Sequence, residues 1–135
     1  MNTKIFVNLP VSDLPTSREF YIGLGFTLNP QYSNDDGACI VISEEIYVML
    51  LTRKYFGTFT PKAISDAQAT TEVLLALSAD DRAGVDALVA RATAAGGSTY
   101  AEPRDLGFMY QHGFQDPDGH MWEVFWMAGP PPQEG

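Results

Sequence analysis

Phe108-Met109-Tyr110-Gln111-His112-Gly113-Phe114-Gln115-Asp116-Pro117-Asp118-Gly119-His120-Met121-Trp122-Glu123-Val124-Phe125-Trp126-Met127 reads as two strands joined by a turn. In Asp116-Pro117-Asp118-Gly119, proline presets φ at the second position and glycine accepts a positive φ near the end. The flanks are rich in aromatic and β-branched residues, as strands prefer. Alternation puts Met121, Glu123 and Phe125 on one face of the second strand, and His120, Trp122, Val124 and Trp126 on the other. Glu123 is thus a carboxylate inside an apolar strand. Buried charge is costly unless paired, hydrogen-bonded or metal-bound, so Glu123 is the first candidate site residue.

Working back from this hairpin, the chain divides into two similar units. Lys4 to Pro10 reads as a strand. Ser12 or Asp13 then offers an N-cap, Pro15 suits the first turn, and Leu14, Ser17, Tyr21 and Leu24 form one helical stripe ending at Gly23 or Gly25. Strands follow at Phe26–Tyr32 (broken by Pro30), Ala38–Ile42 and Ile46–Thr52. The pattern restarts with a strand over Thr71–Ser78. A helix follows, capped by Asp80 or Asp81, with Val85, Leu88, Val89 and Ala92 on its stripe and a stop at Gly96-Gly97. A short strand at Ser98–Ala101 leads into the hairpin. The fold class expected is α+β, with two tandem βαβββ modules at about 3–52 and 70–128. Segment 53–69 reads either as a loop with a short helix or as a flap over a pocket, and the proline-rich tail 129–135 as mobile.

Composition narrows the function. The 135-residue chain suits one domain, and 45% hydrophobic against 19% charged residues supports a packed core. A formal net charge of -9 repels phosphate backbones and argues against nucleic acid. No apolar run reaches the ~18–20 residues that span a bilayer. The start lacks a secretory h-region, and the single cysteine, Cys39, excludes an intrachain disulfide, so a cytoplasmic protein is expected.

Asn8-Leu9-Pro10-Val11-Ser12-Asp13-Leu14, followed by Phe20-Tyr21 and Leu24-Gly25-Phe26, resembles one end of a known family pattern. Asp116 to Val124 resembles the other end. The family is the vicinal oxygen chelate superfamily: glyoxalase I, bleomycin-resistance proteins, extradiol dioxygenases and fosfomycin-resistance enzymes. Within it, the chain is most similar to bacterial proteins labelled as predicted lactoylglutathione lyases. The resemblance spans roughly Lys4 to Met127. It implies a cupped mixed sheet around a central cavity, a small-molecule ligand and a homodimer.

Metal-dependent members place ligands on the first and last strand of each module. The corresponding positions here are Phe6, or Asn8 if the register slips by two, then Met49, Leu74 (with Glu72 two residues away) and Glu123. Three of these four positions carry no ligand, so Glu123 alone would hold a metal weakly. No cofactor is assigned. Zn, Ni, Mn or Fe would need Glu72, Asn8 or His112 to join Glu123. The expected function is small-molecule binding in the sheet cavity, with metal-free lyase or isomerase chemistry through Glu123 if catalytic. The alternative is non-catalytic sequestration of a cationic or aromatic drug-like ligand. Candidate ligand-binding residues are Asn8, Met49, Leu74, Tyr110, His112 and Phe125. Tyr110, Phe125 and Met49 read equally as core. Arg53-Lys54 reads as a solvated strand end or as a clamp for an anion.

Overall fold

The computed structural model describes residues 3–130; of the tail 129–135 expected to be mobile, positions 131–135 lie outside them. The first module comprises β1 (Ile5–Val11), α1 (Leu14–Gly23), β2 (Thr27–Asn29), β3 (Gly37–Val41) and β4 (Ile46–Thr52). The linker begins with the short α2 (Arg53–Phe56) and one 3-10 turn, Gly57–Phe59. The second module comprises β5 (Leu75–Ser78), α3 (Arg82–Ala94), β6 (Arg104–Asp105), β7 (Met109–Gln115) and β8 (Met121–Met127). The strand orders are β1-β4-β3-β2 and β5-β8-β7-β6. In each sheet the first strand runs parallel to the last and the other pairs are antiparallel. The result is α+β, with two tandem modules built as separate open sheets.

Local chemistry explains the helices. Asp13 accepts a hydrogen bond from the Thr16 N–H (3.1 Å), and Asp81, rather than Asp80, accepts one from Gly84 N–H (2.6 Å). Each cap satisfies a backbone donor that has no partner inside its helix. The stripes Leu14, Ser17, Tyr21, Leu24 and Val85, Leu88, Val89, Ala92 are all buried. Phe20 of α1 reaches Phe114 with ring centroids 6.1 Å apart, and Tyr21 reaches Trp122 at 6.0 Å. The helix-facing sides of both sheets therefore share one core.

Three strand boundaries differ from the sequence reading. β2 stops at Asn29 because Pro30 opens a 3-10 turn, with the Asn29 side chain accepting from Gln31 N–H. β5 starts at Leu75, so Glu72 and Leu74 precede the strand, and Leu74 is exposed. The strand expected at Ser98–Ala101 reduces to one bridge between Ser98 and Gln115, and the paired segment is Arg104–Asp105. The chain leaves the ladder there because Tyr100 folds over Gly113.

Ser17 is fully buried on α1, and among the described residues its hydroxyl has no hydrogen-bond partner. An unsatisfied buried hydroxyl costs about 1–3 kcal/mol. Ser17→Ala is expected to raise stability by about 1 kcal/mol, read as a higher urea midpoint with an unchanged m-value.

Candidate functional site

The hairpin turn binds the modules together. Asp116 is buried at 3% exposure. One of its oxygens accepts the Asp118 and His120 N–H groups at 3.0 and 2.9 Å. The other accepts the Tyr21 hydroxyl at 2.6 Å, and Trp122 Nε1 donates to the same phenol oxygen at 3.0 Å. Asp118 accepts from both the N–H and the hydroxyl of Ser12, at 2.9 and 2.8 Å. His120 Nε2 lies 2.7 Å from the Pro10 carbonyl oxygen, a bond that requires the Nε2–H form. Three polar side chains of one turn thus grip β1 and α1 of the other module. Burial pushes the Asp116 carboxyl above its ordinary range, against the pull of His120 and the Tyr21 hydrogen bond. Burial and the neighbouring Asp116 raise the Tyr21 phenol well above its own.

Strand alternation sorts the candidate residues onto two faces. Phe6 and Asn8 of β1 and Met49 of β4 lie on the first sheet's open face, away from the helices. Glu123 and Phe125 lie on the open face of the second sheet. Tyr110 and His112 lie on the opposite face from Glu123. Tyr110 donates to Asp86 of α3 at 2.6 Å, and His112 Nε2 meets the Ala101 carbonyl at 3.0 Å. Neither joins Glu123.

The neighbour of Glu123 is Tyr100, which the sequence reading missed. Its hydroxyl donates to the Trp122 carbonyl (3.1 Å), and its pKa is raised by burial and then by the Glu123 charge. A Cβ at Gly113, the ladder partner of Glu123, would collide with the Tyr100 hydroxyl. Glycine inside a strand marks such a close approach, and that was the available signal.

A cavity of about 340 Å³ opens beside these faces. Both modules line it: Asn8 and Pro10 from β1, Leu75 from β5, and His120 and Met121 from the turn and β8. Its roof is linker chain, including Phe56, Lys62, Ile64 and Ala67. The short helix α2 of the loop reading is present, and the linker borders the cavity. A second cavity of about 350 Å³ adjoins it, lined by Ser12, Arg53, Asp66, Gln68 and Asp118. Pro10, Ser65, Ala67 and His120 border both, so the two are neighbours across these residues. The linker is pinned above them by Gln68 Nε2 donating to the Pro117 carbonyl at 2.9 Å. Of the sequence candidates, Asn8 borders the first cavity; Met49, Leu74, Tyr110, His112, Glu123 and Phe125 do not.

The open faces also test the metal site that the resemblance implies. Asn8 pairs with Met49 across β1 and β4, and Glu123 with Ala76 across β5 and β8. An amide, a thioether, a methyl group and one carboxylate do not fit a divalent ion such as Zn or Ni. Phe6 stacks on Tyr47 at 4.6 Å, and Leu74 lies before β5. Among the described residues, no three His, Cys, Asp or Glu side chains converge. Glu72 borders the first cavity and His112 the opposite sheet face, so the alternative ligand set does not assemble either.

Comparison with known proteins agrees with this architecture. A hypothetical protein from S. aureus shares 29% identity over 93% of this chain and 94% of its own, with a TM-score of 0.78. A protein from Agrobacterium tumefaciens shares 28% over 96% and 100%, with a TM-score of 0.72. A glyoxalase/bleomycin resistance protein/dioxygenase from Nocardioides shares 25% over 100% and 89%, with a TM-score of 0.74. None of the curated proteins compared matches the chain. The family model of the Glyoxalase/Bleomycin resistance protein/Dioxygenase superfamily matches residues 5–124, and the chain belongs to that superfamily.

Proposed function

We propose that this chain binds a small molecule in the cavity between its two modules, without a metal ion. The observation that carries this reading is the cavity itself: about 340 Å³, walled by both modules and roofed by the linker. That volume is at the small end of ligand pockets. Its floor is largely apolar, with Asn8 offering an amide, a usual composition for orienting a small ligand. Two carboxylates are within reach of this reading as bases: Glu72, which borders the cavity, and Glu123, on the adjoining sheet face beside Tyr100, for a ligand that extends from the cavity.

A homodimer fits this reading. The open faces carry apolar side chains, among them the exposed Phe6, that a second copy would cover. The acidic chain and the buried free thiol of Cys39 support a cytoplasmic setting. Among the described residues no helix is long and apolar enough to cross a membrane. A cationic aromatic ligand on the first sheet's face is a second reading. It rests on the stacked Phe6 and Tyr47 rings, centroids 4.6 Å apart, whose electron-rich faces attract cations.

Methionine-methyl NMR tests the proposal. In a fragment screen run with excess chelator, bound fragments are expected to shift the Met121 methyl and leave Met109 in place. The diffusion coefficient of the same sample is expected to report a dimer. Fragments that bind only after Zn²⁺ or Ni²⁺ is added would refute the metal-free reading.

A further inference from the structure

We propose that the two adjoining cavities take an elongated amphipathic monocarboxylate, its apolar body against Leu75, Met121 and Ile64 and its carboxylate on Arg53. This rests on the reading that the inter-module cavity binds a ligand, and it names that ligand's class.

The argument begins with charge. The chain carries 8 Lys and Arg against 17 Asp and Glu. Yet Arg53, Lys54 and Lys62 fall within ten residues that contain no acid. Lys62 borders the first cavity and Arg53 the second. Among the described residues the only ion pair is Arg82–Asp105, so neither cation is matched by a carboxylate. Of the three acids that border the cavities, Glu72 borders only the first, and the two that line the second with Arg53 have other work. One Asp118 oxygen holds the Ser12 N–H and hydroxyl, and one Asp66 oxygen accepts the Gln68 N–H at 3.0 Å. Among the described residues the guanidinium of Arg53 has no side-chain partner, and its planar fork matches a carboxylate in bidentate geometry.

The same acids set the charge of the ligand. Asp66 and Asp118 line the cavity with Arg53, so a dianion such as a phosphate monoester meets two negative charges and one positive. A monoanion takes the guanidinium with less repulsion. The first cavity sets the tail. Leu9, Pro10, Phe56, Ile64, Leu75 and Met121 give it apolar walls, and its two charged border residues, Lys62 and Glu72, offset each other.

The probes are 4-phenylbutyrate and its neutral amide, titrated into the full-length protein and followed by the Met121 methyl shift. The acid is expected to bind at least 10-fold more tightly than the amide. Arg53→Gln is expected to erase that difference by weakening the acid far more than the amide, and Arg53→Lys to restore part of it. Arg53 is exposed at the start of α2, so these variants keep the fold, and a thermal melt checks it. Equal affinities for acid and amide would overturn the carboxylate assignment and leave the cavity reading standing. If neither compound moves Met121, the proposed class is wrong, and the fragment screen separately decides whether the cavity binds anything.

Discussion

Tyr21→Phe is expected to destabilise the protein by about 2–3 kcal/mol, and Asp116→Ala by about 3–5 kcal/mol, although neither residue touches the proposed ligand. The phenol removed by Tyr21→Phe donates to a buried carboxylate and accepts from Trp122 Nε1. Its loss leaves one Asp116 oxygen without its donor in a site that water does not reach. Asp116→Ala removes the acceptor of three donors at once: the Asp118 and His120 N–H groups and the Tyr21 hydroxyl. Asp116→Asn is expected to be milder. It keeps an oxygen for the two backbone donors and offers an amide to the Tyr21 oxygen. Urea unfolding of the three variants checks the order.

The sign of the pH effect follows from the same burial. The folded Asp116 carboxyl titrates above the unfolded value of about 3.9. Between those values the native state holds the proton and the unfolded chain does not. The stability this group contributes is therefore full below about pH 4 and is lost as pH rises through its folded value. Asp116→Asn is expected to remove that loss, so the gap between wild type and Asp116→Asn should change across the weakly acidic range. Tyr21 acts likewise at alkaline pH: its raised phenol makes stability fall as pH rises past about 10.

The second large effect is at Gly119. It sits at φ +92, where a side chain is strained, and a Cβ there would lie 2.8 Å from the Ala67 carbonyl oxygen and 2.9 Å from Gln68 N. Those neighbours are backbone and cannot swing aside as a flexible side chain can. Gly119→Ala is expected to cost about 2–4 kcal/mol through strain and a displaced linker. It should also release Gln68 from the Pro117 carbonyl and lift the cavity roof. Trypsin provides the measurement, because Lys62 lies in that roof. Cleavage after Lys62 is expected to accelerate at least 10-fold, and the affinity for 4-phenylbutyrate to fall by a similar factor. Unchanged cleavage in the folded variant would mean that the turn does not hold the linker.

The fold was legible because its cues are local. Caps at Asp13 and Asp81, the two helical stripes and the Asp-Pro-Asp-Gly turn each declare themselves within a few residues. The strands that were misread lack such cues. Ser98–Ala101 has strand composition, yet Tyr100 leaves the ladder to cover Gly113, a contact that no periodicity encodes. Glu123 was correctly placed on the face opposite Trp122, because alternation needs only one strand.

The site was less legible because it is long-range. The opening stretch around Pro10 and Ser12 and the closing turn read as two separate motifs. In the fold they are one joint, formed by Ser12–Asp118 and Pro10–His120 bonds that link residues more than a hundred positions apart. The cavity beside that joint could not be drawn from spacing alone. The face of His112 was left open by the sequence, and the structure turns it away from Glu123 toward the Ala101 carbonyl.

The central claim is that ligand binding here belongs to the inter-module cavity and needs no metal. The most direct measurement is a crystal structure of the protein with its tightest fragment, grown after incubation with Zn²⁺ and Ni²⁺ and recorded with anomalous data at both metal edges. The account predicts ligand density between Asn8, Pro10, Leu75 and Met121 beneath Ile64, with no anomalous peak in contact with it. A ligand chelated to a metal ion held by Glu123 would contradict it.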